Sequence, residues 1–287
     1  MHMRLPLILI AMLLPLAPVV AKAVAPPQAV AAPHDRLLPL QGGNNFRDLG
    51  GYRAADGRSV RWGLLFRSGA MASLTPADFA TLAGRGIRTV CDFRDVRERT
   101  SAPVNWPAGK APVVLADDYQ NDMSAIARLF GPTLPSGEQA RAAMTSTYPQ
   151  ILKQFNGQYR RMFGELLAGR APLAFNCSAG KDRTGVAAAL LLTALGVGRQ
   201  DVIGDYLLSN RYFDPGKLTG GNDPQSAMFR RMPPEALQAI MGVDRAYIEA
   251  VFAVMDAHKG GVDGYLADEL GLNLTERRDL VRLYTER

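Results

Sequence analysis

From Tyr148 onward, Ile151, Leu152, Phe155, Tyr159, Met162, Phe163, Leu166 and Leu167 recur at helical spacing, which predicts one long amphipathic helix ending near Gly169. Shorter apolar and β-branched runs, bounded by Gly and polar residues, predict strands at Trp62 to Arg67, Ile87 to Phe93, Pro112 to Ala116 and Pro172 to Asn176. Between the first two strands, Thr75 and Pro76 supply an N-cap and a first-turn proline, and Gly84 and Gly86 supply a stop, so a helix is expected there. Thr184 to Leu195 reads as an apolar helix stopped by Gly196, and helical patterns return at Asp201 to Asn210, Arg245 to Ala257 and Thr275 to Tyr284. Residues 117–147 are polar, interrupted by Gly and Pro and without a clean period, and are expected to form an insertion or lid. Strands alternating with helices predict an α/β fold: a three-layer sandwich around a mostly parallel sheet, with additional C-terminal helices.

The N-terminus breaks this pattern. Arg4 precedes an apolar run from Leu5 to Val20 and then Ala21-Lys22-Ala23, which predicts a cleaved signal peptide over residues 1–23 and a periplasmic or secreted protein. The run falls short of the about 20 residues a membrane span needs, and Pro6, Pro15 and Pro18 interrupt it, so no stable membrane insertion is expected after cleavage. Residues 24–40, rich in Ala and Pro, are expected to be a flexible leader before a single domain over 41–287. Cleavage removes Arg4 and Lys22 and no acid, lowering the formal net charge of +6 by two. That mild basicity suits an acidic substrate, and the absence of Lys/Arg runs argues against nucleic acid. Two cysteines, Cys91 and Cys177, exclude a disulfide framework, and the scattered histidines offer no zinc-ligand spacing, so neither metal nor cofactor is expected.

The chemistry is concentrated in Phe175-Asn176-Cys177-Ser178-Ala179-Gly180-Lys181-Asp182-Arg183-Thr184-Gly185, a Cys-x5-Arg-Thr string between a predicted strand and a predicted helix. If this loop wraps on itself, the amides of Ser178, Ala179, Gly180, Lys181, Asp182 and Arg183 converge on one tetrahedral oxyanion, with the positive end of the helix behind them. The same field favours the thiolate form of a cysteine, making Cys177 a candidate nucleophile. Arg183 can turn its planar fork onto two phosphate oxygens, and Gly180 permits tight curvature. Thr184 is placed to hydrogen-bond the cysteine sulfur, and Asp182 is a candidate acid for the leaving oxygen and base toward water. A lone Cys after a strand is ordinarily a core residue; the strand before, the glycine within and the Arg-Thr-Gly and apolar helix after favour the phosphate site. A nucleotide P-loop does not fit, because Phe175 stands where its first Gly belongs and no Ser or Thr follows Lys181 directly.

Asn176 to Gly185 resembles the His-Cys-x-x-Gly-Lys-Asp-Arg-Thr-Gly signature of the bacterial tyrosine phosphatase family of the mycobacterial phosphatase B and Listeria lipid phosphatase type. Asn45 to Tyr52, Phe66 to Gly69, Asp92 to Arg94, Asp205 to Asn210 and the Leu-Gly-Leu at 270–272 are similar to that family as well, so the likeness runs from about residue 40 to 285. The resemblance implies a phosphatase-II-like sandwich and metal-free hydrolysis of phosphomonoesters through a cysteinyl-phosphate. It also implies Asp182 as the acid and Lys181 in holding additional phosphate groups. The implied substrates are phosphoproteins, phosphotyrosine first, or phosphoinositides and inositol phosphates. Asn176 stands where the family has His, a residue that orients the loop, which leaves open a weakly catalytic phosphate-binding module.

Outside the loop, Arg47 and Asp48 are expected either to face the site or to form a turn with a local ion pair. Arg67 is expected to extend a positive pocket, and Asp92 is the second candidate acid, on the sheet edge where ligands bind in open α/β sheets. Asp95, Arg97, Glu98 and Arg99 read as a solvated helix start outside the site. Cys91 is expected to be a packed core thiol, able to pair with Cys177 only if their Cα atoms lie within about 7 Å. Phe213 and residues 216–221 are expected to be a surface loop or a mobile cover.

Overall fold

The computed structural model describes residues 35–109, 111–120, 133–219 and 224–287; the expected signal peptide and most of the leader, part of the expected lid and the end of the 216–221 stretch lie outside them. Strands β1 (Arg47–Asp48), β3 (Leu65–Ser68), β4 (Thr89–Asp92), β5 (Val113–Ala116) and β6 (Leu173–Asn176) form one sheet in the order β1-β3-β6-β4-β5, and β2 (Ser59–Val60) pairs elsewhere. Only β1 is antiparallel; the other four run parallel. In this register Asn176 lies beside both Ser68 and Asp92. Three strands therefore end level, and the segments that leave them meet at one edge of the sheet, the place where open α/β sheets bind ligands.

The central strands β3, β6 and β4 are buried on both faces, while the edge strand β5 is partly exposed. Phe66, Val90 and Ala174 point to a smaller core shared with Leu82 of helix α1 (Pro76–Gly84) and with Phe46 and Leu74. Leu65, Cys91, Leu173 and Phe175 point to the main core, filled by α3 (Gly137–Gln154), α4 (Asn156–Leu167), α5 (Arg183–Ala194) and α6 (Arg199–Leu207). A short α2 (Val96–Ser101) follows β4. Further helices α7 (Pro234–Met241), α8 (Arg245–Ala257), α9 (Gly261–Leu270) and α10 (Leu274–Tyr284) extend this layer, and β7 (Thr285–Glu286) returns to pair with β2. The three layers and the mostly parallel sheet are those the strand-helix alternation predicts.

Two sequence expectations are corrected. The single helix from Tyr148 is two helices, broken at Phe155, because Asn156 and Gly157 are weak helix formers that favour a new start. The first of them begins at Gly137, inside the stretch expected to be a lid. There Ser136 and Gln139 form a reciprocal capping box, with Gln139 N donating to Ser136 Oγ at 3.2 Å and Ser136 N to Gln139 Oε1 at 2.9 Å.

Candidate active site

Strand β6 delivers Asn176 to the edge of the sheet and α5 starts at Arg183, so Cys177 to Asp182 must turn within six residues. Gly180 makes the turn with φ of +69°, and a Cβ there would lie 2.4 Å from Gly69 N and from Ser68 C. Only glycine fits both the left-handed backbone and the close approach. The loop is gripped by its carbonyls: Ala70 N donates to Ser178 O at 3.0 Å, and both Asn45 Nδ2 and Arg67 Nη2 donate to Gly180 O, at 2.8 and 2.9 Å. Among the described residues, none of the amides of Ser178, Ala179, Gly180, Lys181 and Asp182 donates to a protein acceptor. A loop whose carbonyls are tied back and whose N–H groups are uncommitted is organised for an anion. Cys177 sits at its start, 1% exposed.

Arg183 is held by a residue that the sequence reading placed outside the site. Glu98, in α2, accepts from Arg183 Nη1 at 2.7 Å and Nη2 at 2.6 Å, and from Ser178 Oγ at 2.5 Å. Arg183 Nη1 also donates to Phe93 O and to Tyr119 Oη. One edge of the guanidinium is thereby clamped, while Nε carries no hydrogen bond among the described residues and remains for phosphate. Burial pushes the Glu98 carboxyl up, but the hydrogen bonds and charge of Arg183 outweigh it and bring the group down to about 2. Against the same burial, Glu98 and Cys177 hold the Arg183 guanidinium well above its ordinary value. A carboxyl depressed in the folded state stabilises the fold fully above its unfolded value and loses that contribution as pH falls through the folded one. Urea unfolding should therefore show up to about 3 kcal/mol lost between roughly pH 5 and pH 2. Glu98→Gln should be less stable at pH 7 and lack that part of the slope; an unchanged slope would remove Glu98 as its source.

Asp182 is the N-cap residue of α5 and lies at the loop's end. Its Oδ1 accepts from Tyr148 Oη at 2.6 Å and from Lys181 Nζ at 2.8 Å. Lys181 is 4% exposed and spends its charge on this neighbour, so the further phosphate contact that the family resemblance implies is not arranged in this structure.

The remaining expected residues separate into supports and core. Asp92 accepts from Arg94 Nε and Nη2 on both oxygens and from Asn176 Nδ2 at 2.9 Å, so neither oxygen is left for proton transfer. Asn176 thus ties the base of the loop to β4. Arg67 does not extend an open pocket: fully buried, it donates to Asp205 Oδ2 at 2.6 Å and to the loop carbonyl of Gly180. Arg47, also buried, shares Asp205 and donates to Asn45 Oδ1. Burial opposes ionisation of Asp205, yet the two arginines bring it down to about 2, while burial beside Arg67 takes Arg47 down to about 10. Asp48, at the end of β1, accepts from Gly50 N and Gly63 N and so holds the turn that follows the strand rather than the loop. Thr184 Oγ1 is buried without a hydrogen-bond partner, so the expected bond to the cysteine sulfur is not formed. Phe213 packs against Ala179 of the loop rather than forming an exposed cover.

Cys91 is a core thiol, its ionisation pushed up to about 12 by burial. It lies opposite Phe175, two residues short of Cys177. Strand spacing of about 4.8 Å and a rise of about 3.3 Å per residue put the two Cα atoms about 8 Å apart, beyond disulfide reach. Glu98, Tyr119, Tyr148 and Asp205 are the side chains that sequence reasoning missed as parts of the site. Two signals were legible: Asp205 opens a stretch similar to the family, and Asp95-x-x-Glu98 is a capping box that places the start of α2 but not the second use of its glutamate. Among the described residues no group of three or more His, Cys, Asp or Glu side chains is arranged to hold a metal ion.

A buried cysteine opening a ring of unclaimed amides, closed by an arginine at a helix start, defines the cysteine-dependent phosphatases as a class. The sequence profile of the tyrosine phosphatase family matches residues 38–286, and the chain belongs to that family. It is a hydrolase of phosphorylated substrates, with phosphoryl-ester cleavage as its reaction. A protein of Cupriavidus necator named as a tyrosine-protein phosphatase is 33% identical over 275 residues, covering 90% of this chain and 93% of its own length. The triple specificity protein phosphatase PtpB of Mycobacterium tuberculosis is 32% identical over 259 residues, covering 80% of this chain and 92% of its own. Among solved structures, TpbA of P. aeruginosa overlaps 70% of this chain and 97% of its own at 18% identity and a TM-score of 0.27, too loose a likeness to carry an argument.

Proposed function

We propose that this phosphatase hydrolyses phosphotyrosine in proteins, with Cys177 as nucleophile, Arg183 as phosphate clamp and Asp182 as proton donor. The uncommitted amides of Ser178 to Asp182, beside the buried Cys177, carry this reading. The Cys177 thiolate attacks phosphorus, the bond from phosphorus to the tyrosine oxygen breaks, and Asp182 gives that oxygen its proton. Water then attacks the cysteinyl-phosphate, Asp182 takes up a proton from it, and the sulfur leaves as thiolate with release of inorganic phosphate. The amides and the free Nε edge of Arg183 meet the charge that develops on the phosphoryl oxygens. Asp182 is preferred to Asp92 because its Oδ2 has no partner, whereas both oxygens of Asp92 are engaged.

A phosphotyrosine substrate is favoured by depth and by the neighbouring surface. Cys177 is 1% exposed, so a phosphate on a long, rigid side chain reaches it most readily. Ala179 of the loop packs with Phe213 and Met241, and with the partly buried Phe229 and Leu237, an apolar setting suited to an aromatic ring. Turnover of an activated aryl phosphate, a phosphotyrosine peptide and a phosphoinositide panel by the full chain in chelator tests the reading. The peptide should exceed each phosphoinositide in kcat/KM by at least about tenfold, a margin of the kind an apolar pocket supplies. The reverse order would make the lipid head group the substrate, and no turnover of any of them from folded protein would make the chain a phosphate-binding module.

A further inference from the structure

The proposed acid is the end of a chain of buried hydroxyls. Tyr206 Oη donates to Tyr148 Oη at 2.5 Å, and Tyr148 Oη donates to Asp182 Oδ1 at 2.6 Å. Tyr148 comes from α3 and Tyr206 from α6; both are buried and meet edge to face, with ring centroids 6.0 Å apart. Gly185, on the first turn of α5, lets them approach, since a Cβ there would stand 3.0 Å from two carbons of the Tyr206 ring. Tyr247, from α8, closes the other side of Tyr148, its ring centroid 5.4 Å away.

Packing alone does not account for the two hydroxyls. Phenylalanine would fill the same space, whereas burying a hydroxyl costs about 1–3 kcal/mol unless it finds a partner. These two find each other and then the one partly exposed carboxylate of the phosphate loop. Burial pushes both phenols well above their ordinary range, so each keeps the proton it donates at neutral pH. Lys181 Nζ holds the same Oδ1 at 2.8 Å. Asp182 Oδ2 has no partner among the described residues, and the side chain is 24% exposed.

We propose that Tyr148, braced by Tyr206, is a positioning residue that pins the Asp182 carboxyl through Oδ1 and so reserves Oδ2 for proton delivery to the leaving oxygen. The inference rests on the reading of Asp182 as the acid. Proton transfer needs heavy atoms within about 2.6–3.2 Å, and a displacement of about 1 Å can cost on the order of a hundredfold in rate. A carboxyl held by one oxygen from two directions cannot turn away from the leaving group.

The test compares kcat/KM of the full chain on 4-nitrophenyl phosphate, whose phenoxide leaves without help, and on phenyl phosphate, whose phenoxide needs a proton. This parameter covers the steps through phosphoryl transfer to Cys177, so the later use of Asp182 as base does not enter. Tyr148→Phe should lose at least about tenfold more on phenyl phosphate than on the nitrophenyl ester, and Asp182→Asn about a hundredfold more. The double variant should show no selective loss beyond that of Asp182→Asn, because the two act through one proton transfer. Competitive inhibition by inorganic phosphate, retained within about twofold, reports an intact loop. Should Tyr148→Phe not retain it, Tyr206→Phe decides by the same ratio, with a smaller selective loss expected. Equal losses on both esters, or a selective loss that adds to that of Asp182→Asn, would overturn the inference. If Asp182→Asn itself treats the two esters alike, the acid assignment falls and the inference with it; a selective Asp182→Asn beside an unselective Tyr148→Phe overturns the inference alone.

Discussion

Cys177→Ser should lower kcat/KM by at least about ten-thousandfold on every phosphomonoester. A serine hydroxyl in the same place keeps its proton at neutral pH, and Asp182, which is the proton donor in the attack step, cannot at that step also take the proton away. Cys177 belongs to the main core and interacts with Arg183, Tyr119 and Tyr159, and two carboxylates tied to the base of the loop are spoken for: Glu98 by Arg183 and Ser178, Asp92 by Arg94 and Asn176. The anion site itself survives the change, because it consists of backbone amides and Arg183. The variant should therefore bind a phosphotyrosine peptide at least as tightly as the active enzyme binds inorganic phosphate, measurable by calorimetry. Turnover persisting above about one per cent would show that another group attacks phosphorus.

Arg183→Lys should cost about a hundred- to a thousandfold in kcat/KM, the scale of losing one preorganised charge stabiliser. The arginine is used along two edges at once. One edge engages Glu98, Phe93 O and Tyr119, and the other is left for phosphate. An ammonium has three donors and no plane, so it cannot hold Glu98 by both oxygens and still present a fork to the substrate. The inhibition constant of inorganic phosphate should rise along with the loss of rate, because the fork contacts phosphate in the ground state too. Near-normal turnover would reduce Arg183 to a partner for Glu98.

The substitution of Asn176 for the family's histidine is given a place by the fold. Its amide donates to Asp92 Oδ1, and Asp92 is bound on both oxygens by Arg94, so the base of the loop is anchored to the neighbouring strand through a neutral donor. The loop's shape is then carried by a wider set of contacts: Asn45 and Arg67 on the Gly180 carbonyl, Ala70 on that of Ser178, and Asp205 beneath both arginines. Asn45 itself sits at φ of +56°, a left-handed backbone that asparagine tolerates better than most residues. It reaches the loop carbonyl with its side chain from there.

The sequence by itself determined the local parts: the strand into Cys177, the tight Gly180 turn, the arginine six residues on, and the apolar helix behind them. All are contiguous in the chain, and their spacing, turn chemistry and periodicity are properties of neighbouring residues. It also determined the layered α/β class, because strand and helix periods differ and alternate. The break at Phe155 was legible in Asn156-Gly157 but masked by an apolar period that runs through both helices, since period reports burial and not continuity of hydrogen bonding. What only the tertiary structure decided is who serves the loop. Glu98 stands 85 residues before the arginine it clamps, Tyr148 stands 34 before the aspartate it holds, and Asp205 joins two arginines 158 and 138 residues away. In sequence each is an ordinary acid on a helix or an aromatic on an apolar stripe. Their roles come from three parallel strands ending in register and from helices packed across that edge, which bring to one point side chains whose chemistry gives no sign of the partner they will meet.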